Sequence, residues 1–505
     1  MKVLAETESI CPECAKEGKI NKIDAQRVKE NGKVYLVKEC PEHGEFKSII
    51  STELDEYNKY QNYWETGEEN PTVKSFGLYD KHYSQSVLTN LFVTNRCDLR
   101  CSYCFANAGA EGFVYNPSLE QLKEQMKVVR EERPVPSKAL QITGGEPAVR
   151  DDLPEIIRMA DELGFSHIQV NTNGIRAAED PDFVKEWKKA GCDTIYMSFD
   201  GVTKNVNPWV EQNKQALENF KKAGITSVIL VPTIIKGHND DQLGDIIDFA
   251  ADHIDVVRGV NFQPVSFVGR LDKIDEETKD KERISFSEIH RKLQEQTNGS
   301  LKVEDWYPPT FVTPISDLIG TVKGEPQVKF GCSPNCGSAT YTFLDDDGSL
   351  VPITRFVDVE GLMEFIEEKA KTEGKLKKAK IGASMLKNIG KYIDEDKAPG
   401  DFSIKKLMFN ALIGGDYDSL GEFHYKTLYI GGMWFQDPWN VDMERLKRCV
   451  IHYSTPEGVI PFCIYNGMGK ASEIREKHSM TLEEWEEKTG KKLKDDFWKN
   501  GPLSP

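Results

Sequence analysis

Several things are scarce in this 505-residue chain, and each scarcity removes a class of function. No apolar run approaches the ~20 residues needed to span a bilayer, so a transmembrane role is not expected. The opening segment, MKVLAETESICPEC, has no signal-type hydrophobic core. A cytoplasmic location follows as the expectation, with thiols kept reduced and free to bind metal rather than pair as disulfides. Positive charge is in deficit: 65 Lys and Arg stand against 82 Asp and Glu, a net charge of -17. That excludes broad nucleic-acid binding and a simple polybasic membrane anchor. Internal repeats and low-complexity tracts are missing too. Cysteine is sparse, at 11 residues, yet its placement is far from even.

The length favours two to four domains. The composition, 39% hydrophobic and 29% charged, is that of an ordinary globular protein. The lysine-rich stretch at 367–397 reads as a solvated helix face or a surface insertion.

The first cysteine group is CPEC followed by ECPEHG. Cys11, Cys14, Cys40 and His43 have the four-ligand C-x2-C…C-x2-H form of a structural site, flanking the short strand KVYLVKE. Zinc or a rubredoxin-like mononuclear iron would suit them. The second group, NRCDLRCSYCFANAG, places Cys97, Cys101 and Cys104 at C-x3-C-x2-C. Chance would give three cysteines at fixed spacing in roughly 0.5% of such chains. No fourth ligand is near, which disfavours zinc. Three thiolates instead fit a [4Fe-4S] cluster with one iron left open for a small molecule, shielded by Tyr103 and Phe105. Cys192 stands alone at the start of an apolar run and reads as a small buried residue.

From residue 87 onward, apolar β-rich runs alternate with amphipathic segments. The runs are VLTNLFVT, KALQIT, HIQVNT, TIYMSF, SVILVPTII and RGVNFQPVSF. Such alternation means a parallel sheet covered by helices, and six units suit a partial (β/α)6 barrel. Chemistry in barrels sits on the loops after the strand C-termini, where the three cysteines lie. The loop after the second strand reads TGGEP. Gly144 and Gly145 would let backbone approach a ligand closely, and Glu146 could accept hydrogen bonds from an ammonium group. Later strand ends carry Asn171, Asn173, Ser198, Asp200 and Gln263. Asn173 before Gly174 also reads as a turn residue. Arg270 reads equally as a partner for a carboxylate or phosphate and as a surface arginine.

The cysteine motif, with an aromatic residue before its last cysteine, resembles the radical S-adenosylmethionine (SAM) superfamily. That resemblance implies an α/β fold with a partial (β/α)6 barrel and a [4Fe-4S] cluster on Cys97, Cys101 and Cys104. It implies that Tyr103, Gly144, Gly145, Glu146, Asn173, Ser198, Asp200 and Gln263 surround SAM. It also implies a 5′-deoxyadenosyl radical that abstracts hydrogen from carbon, and a low-potential electron donor such as a ferredoxin.

Further along, Cys332 and Cys336 precede a hairpin with a D-G turn, and Cys449 and Cys463 follow much later. Two such pairs could hold an auxiliary [4Fe-4S] cluster, with zinc as the competitor. His452, close to Cys449, reads as a ligand, a donor to one, or a packed residue. The expected domains are a metal ribbon at 1–75, the barrel at 80–300, and an auxiliary-cluster and substrate domain at 301–505. The apolar, glycine-bearing stretches KLMFNALIGG (406–415) and LYIGGMWF (428–435) read as plain core or as a tunnel lining.

The whole layout resembles the archaeal tetraether lipid synthase family, some of whose relatives are read as pterin methyltransferases. On that resemblance the chain would join terminal carbons of the isoprenoid chains of archaeal diether lipids, working at the membrane surface. The auxiliary cluster would hold one radical carbon while the second forms. The acidic charge sits awkwardly with extraction of an anionic lipid. The alternatives are methylation of a pterin precursor and peptide modification. From another class comes a non-catalytic iron–sulfur carrier, against which the GGEP loop argues.

Overall fold

The computed structural model describes residues 1–400, 404–409 and 427–505. Strands β1 (Lys2–Ile10), β2 (Lys22–Glu30), β3 (Lys33–Cys40) and β4 (Gly44–Ser51) form an antiparallel sheet in that order. This is the ribbon. Too small to bury a self-sufficient core, it leans on the rest of the chain. Ser48 donates to the Trp439 carbonyl at 3.0 Å, and the buried Lys38 donates to the Pro438 carbonyl at 2.7 Å.

The barrel strands are β5 (Leu88–Phe92), β7 (Ala139–Thr143), β8 (His167–Thr172), β9 (Thr194–Ser198), β10 (Val228–Val231) and β12 (Val257–Pro264). They pair in parallel in that order, as the six apolar runs predict. Two short strands accompany them, β6 (Phe113–Val114) and β11 (Thr233–Ile234). Alternation along β7 shows the logic of each strand. Leu140 and Ile142 pack outward under the helices, while Gln141 and Thr143 face an interior cavity. The helix Leu119–Arg130 is started by a capping box between Ser118 and Gln121, and it buries Leu122, Met126 and Val129 against this sheet.

The remaining strands are β13 (Gly337–Leu344), β14 (Leu350–Pro352), β15 (Thr427–Met433), β16 (Ile451–Thr455), β17 (Gly458–Pro461) and β18 (Met480–Thr481). They continue the barrel sheet beyond residue 300. Strand β15 adds in parallel to β12, and β16 adds in parallel to β5. Strands β13 and β17 then pair antiparallel with β15 and β16 and extend the two edges. Eight neighbouring strands therefore run parallel, in the order β16-β5-β7-β8-β9-β10-β12-β15. The segment 301–505 does not stand apart, because open sheet edges are filled by the strands that can hydrogen-bond to them.

Residues 359–388 hold two helices, Val359–Ala370 and Lys377–Asn388, solvated on one face and burying Ile381 and Met385 on the other. In LYIGGMWF, Leu428 and Ile430 are core, whereas Tyr429, Met433 and Phe435 line the cavity. Most of KLMFNALIGG, residues 410–415, lies outside the described residues. No helix among the described residues is long and apolar enough to cross a membrane.

Candidate active site

The cluster loop follows β5 directly and is braced from many directions. Arg100 donates to the carbonyls of Cys97 (2.9 Å) and Leu99 (2.7 Å). Arg270 donates to the carbonyls of Cys101 (2.6 Å) and Ala108 (2.8 Å), and its backbone N–H reaches the Cys104 carbonyl at 3.1 Å. Arg270 is thus neither a carboxylate partner nor a surface residue. It clamps the loop that carries the three cysteines.

The TGGEP loop lies alongside. Gly145 N–H donates to the Thr94 carbonyl (2.7 Å) and Glu146 N–H to the Arg96 carbonyl (2.9 Å). A Cβ on Gly144 would sit 2.4 Å from the Thr94 oxygen, and one on Gly145 only 2.1 Å from the Arg96 oxygen. The two glycines are therefore required by the close approach of the cluster loop, before any ligand is considered.

Glu146 is buried and well bonded. Its Oε1 accepts from Thr172 Oγ1 (2.7 Å) and Ala148 N–H (3.0 Å), and its Oε2 from Asn173 N–H (2.7 Å). Burial, helped by the nearby Asp98 charge, pushes its carboxyl up to about 8. Burial likewise lifts Asp98 to about 6. Asn173, expected among the groups around SAM, donates from Nδ2 to Asp98 Oδ1 (2.6 Å), and its Oδ1 accepts from Ile175 N–H (2.9 Å). It ties the strand end to the cluster loop, which is more than its turn position predicts.

Residues 493–505 cover the other side of the loop, a role that no motif in that segment announces. Arg96 pairs with Asp496 at 2.6 Å, Trp498 N–H donates to the Asp98 carbonyl, and Arg100 N–H donates to the Leu503 carbonyl. Trp498 and Leu503 pack with Leu99 against Cys97 and Cys101. An apolar cover of this kind keeps water from a cluster.

Beyond the cluster loop opens a cavity of about 1010 Å³ inside the barrel. Tyr103 and Phe105 stand at its cluster end, with Asn171, Ser198 and Gln263 at the strand termini. Tyr103 donates its hydroxyl to Asp200 Oδ2 (2.7 Å), and Asp200 Oδ1 accepts from Thr233 N–H (2.7 Å). Asp200 is thus anchored at the rim, its carboxyl raised by burial. Phe435 and Phe462 stack at 3.8 Å to form an aromatic wall. The segment 307–363 supplies an apolar side that includes Phe311, Ile315, Phe343 and Leu362.

The ribbon quartet closes tightly. Cys14 and Cys40 sulfurs lie 3.9 Å apart, and His43 Nδ1 lies 3.5, 3.5 and 3.6 Å from the sulfurs of Cys11, Cys14 and Cys40. Tetrahedral zinc bonds of ~2.3 Å to sulfur and ~2.0 Å to nitrogen require about 3.8 Å and about 3.6 Å between ligands. The four residues fit such an ion. Among the described residues this is the one group of such ligand atoms lying within 4.8 Å of one another.

Cys336, Cys449 and Cys463 are electrostatic neighbours, and Cys332, which lines the cavity, is a neighbour of Cys336. Cys449 is hydrogen-bonded to Cys463, which, with burial, drives its thiol up, while the same contact brings Cys463 down to about 7. The buried guanidinium of Arg445 faces Cys336 and Cys463, and its Nε has no partner. His452 is not among them. It meets His82 at 3.1 Å and Ser86 at 2.7 Å, as a packed residue. Cys192 is buried, as expected.

Comparison with known proteins sharpens the assignment. Residues 91–250 match the radical SAM superfamily, and residues 3–52 match the HMPTM N-terminal zinc ribbon domain. A 7,8-dihydro-6-hydroxymethylpterin dimethyltransferase of Methanocaldococcus jannaschii is 43% identical over 95% of this chain and 96% of its own length. The chain belongs to that family. A GTP 3′,8-cyclase of Limosilactobacillus fermentum is 30% identical over 37% of this chain and 58% of its own. Among solved structures, coproporphyrinogen III oxidase from Escherichia coli is 14% identical with a TM-score of 0.31, covering 48% of this chain and 59% of that one.

This is a radical SAM enzyme, with the [4Fe-4S] cluster and SAM that the superfamily implies and with a zinc ribbon. The match to the ribbon favours zinc over a rubredoxin-type iron. The lipid-joining expectation is overturned: the relative spanning nearly the whole chain is named for a pterin and for methyl transfer. Resemblance in layout alone could not tell the two related activities apart.

Proposed function

We propose that this enzyme methylates carbon atoms of a reduced pterin of the 7,8-dihydro-6-hydroxymethylpterin type. The observation that carries this reading is the 43% identity over 95% of the chain to a pterin dimethyltransferase. The polar inner face of the barrel, with Asn171, Ser198, Gln141 and Gln263, supports it, because a nitrogen-rich ring needs hydrogen-bonding partners.

A [4Fe-4S] cluster with SAM, fed by a low-potential reductant, would supply a 5′-deoxyadenosyl radical that takes a hydrogen atom and leaves as 5′-deoxyadenosine beside methionine; the methyl group would come from a second SAM, which leaves as S-adenosylhomocysteine, with two electrons drawn from the reductant for each methyl added. Cys97, Cys101 and Cys104 would hold that cluster, positioned by Arg100, Arg270 and the TGGEP backbone. Ser198, Gln263 and the Tyr103–Asp200 pair would orient SAM at the rim. Phe105, Phe435 and Phe462 would keep water from a carbon radical, which is the protein's main duty in such chemistry. Cys332, Cys336, Cys449 and Cys463 would hold an auxiliary [4Fe-4S] cluster, its negative charge met by Arg445. The domains follow as ribbon, barrel with both flanking strand pairs, and the helical layer at 353–397.

The test is anaerobic incubation of reconstituted protein with SAM, dithionite and the dihydropterin. Pterin product heavier by CH2 units supports the reading. Formation of 5′-deoxyadenosine with pterin unchanged rejects it and leaves the radical SAM assignment intact.

A further inference from the structure

Across the barrel interior runs a row of hydrogen-bonded polar side chains on three adjacent strands. Asn90 on β5 stands opposite Gln141 on β7, which stands opposite Gln169 on β8. His167 Nε2 meets Gln169 Oε1 at 3.1 Å, Gln169 Nε2 donates to Gln141 Oε1, and Gln141 Nε2 donates to Asn90 Oδ1 at 2.7 Å. Whichever way the row is directed, Gln141 spends one N–H and one oxygen lone pair on its two neighbours.

Gln141 is half-buried and faces the cavity. The row consumes one of its two N–H donors and one of its two oxygen lone pairs. It therefore presents a donor and an acceptor side by side. Behind it Asn90 is wholly buried, and its Nδ2 ends the row without a partner. Barrel interiors are ordinarily filled with branched apolar residues, and buried amides cost free energy unless paired. A row of them kept at the cavity wall points to a polar ligand. Tyr196 and Tyr429 line the same cavity, and burial raises both phenols, Tyr196 to about 12, so they remain protonated.

We propose that Gln141 is the specificity-determining residue of the substrate site. Its spare N–H and carbonyl pair with a lactam edge, an adjacent C=O and N–H, of a planar nitrogen heterocycle flanked by Tyr196 and Tyr429. This rests on the pterin reading and adds the edge that is recognised and the residue that recognises it.

The test is anaerobic equilibrium dialysis of reconstituted, SAM-loaded protein against three ligands. They are 7,8-dihydro-6-hydroxymethylpterin, its 4-deoxo analogue without the lactam carbonyl, and guanine, which shares the edge. The wild type binds the dihydropterin about tenfold more tightly than the 4-deoxo analogue. Gln141→Leu brings that ratio to about one, and Gln141→Met does the same if the leucine variant fails to fold. A packing defect would weaken both ligands alike and leave the ratio unchanged. A tenfold preference that persists in the variants overturns the proposal and leaves the pterin reading standing. Guanine binding that depends on Gln141, with no dihydropterin binding, keeps the proposal and removes the pterin reading. Binding of none of the three overturns both.

Discussion

The ribbon quartet and the barrel trio both cluster cysteines, yet they are built in opposite ways. Every candidate ligand of the ribbon site comes from residues 11–43, and the two knuckles bring the ligand atoms to within 4.8 Å of one another. The trio sits on a loop braced from distant segments as well as from within. Its backbone is fixed by Gly145 and Glu146, by Arg270, by Asn173 through Asp98, and by residues 496–503. The difference follows from duty. A structural ion must close four ligands around itself, while a cluster that takes a substrate needs an open position and surroundings assembled from the whole chain.

Removing the metal from each site sharpens the contrast. Structural zinc contributes on the order of 10 kcal/mol to a small domain's folding. Cys14→Ala, or a strong chelator, should unfold the ribbon while leaving the barrel strands protected, as read by hydrogen exchange along β1–β4 and β5–β12. Equal loss of protection in both would break the comparison. Next, Cys101→Ala should remove the iron and absorbance of one of the two clusters and reduce SAM cleavage at least ~1000-fold, a loss of ~4 kcal/mol in the barrier. It should leave the ribbon zinc in place, as counted by metal analysis.

The barrel site also stores electrostatic strain. Glu146 has a folded pKa of about 8, above its value of 4.5 in an unfolded chain. The folded state therefore holds a proton that unfolding releases, and stability falls as pH rises from about 4.5 through about 8. Urea midpoints of cluster-free protein should show this slope, worth up to ~5 kcal/mol, and Glu146→Gln should flatten it. An unchanged slope would place the strain elsewhere. A smaller effect is expected at the clamp. Arg270→Ala removes two charge-assisted hydrogen bonds to the cluster loop, ~2 kcal/mol in all, and should weaken SAM binding by roughly tenfold to thirtyfold with zinc content unaltered.

The local site was the legible one. C-x2-C…C-x2-H spacing names all four ribbon ligands, because those ligands are close in sequence. The six barrel strands were equally plain, since continuous apolar runs bounded by Gly-terminated helices have one reading. What escaped were the partnerships between distant segments. Nothing in the residues 427–433 or 451–455 says that they join opposite edges of the barrel sheet, and a sequence of polar and aromatic residues at 493–505 does not announce a cover for Cys97. Gly144 and Gly145 were picked out for their permissiveness, but the close approach of the cluster loop, which leaves no room for a Cβ, joins segments about 50 residues apart and is not written in the motif. Substrate was the least legible part, because related enzymes share cluster, barrel and ribbon and differ in what the cavity accepts.

The most direct measurement is therefore of the substrate. Reconstituted protein, SAM labelled in its methyl group, dithionite and 7,8-dihydro-6-hydroxymethylpterin are incubated without oxygen, and the pterin is weighed by mass spectrometry. The account predicts a pterin carrying one and then two added methyl groups, with 5′-deoxyadenosine rising in step and both products absent in Cys101→Ala. An unmodified pterin beside abundant 5′-deoxyadenosine would contradict it.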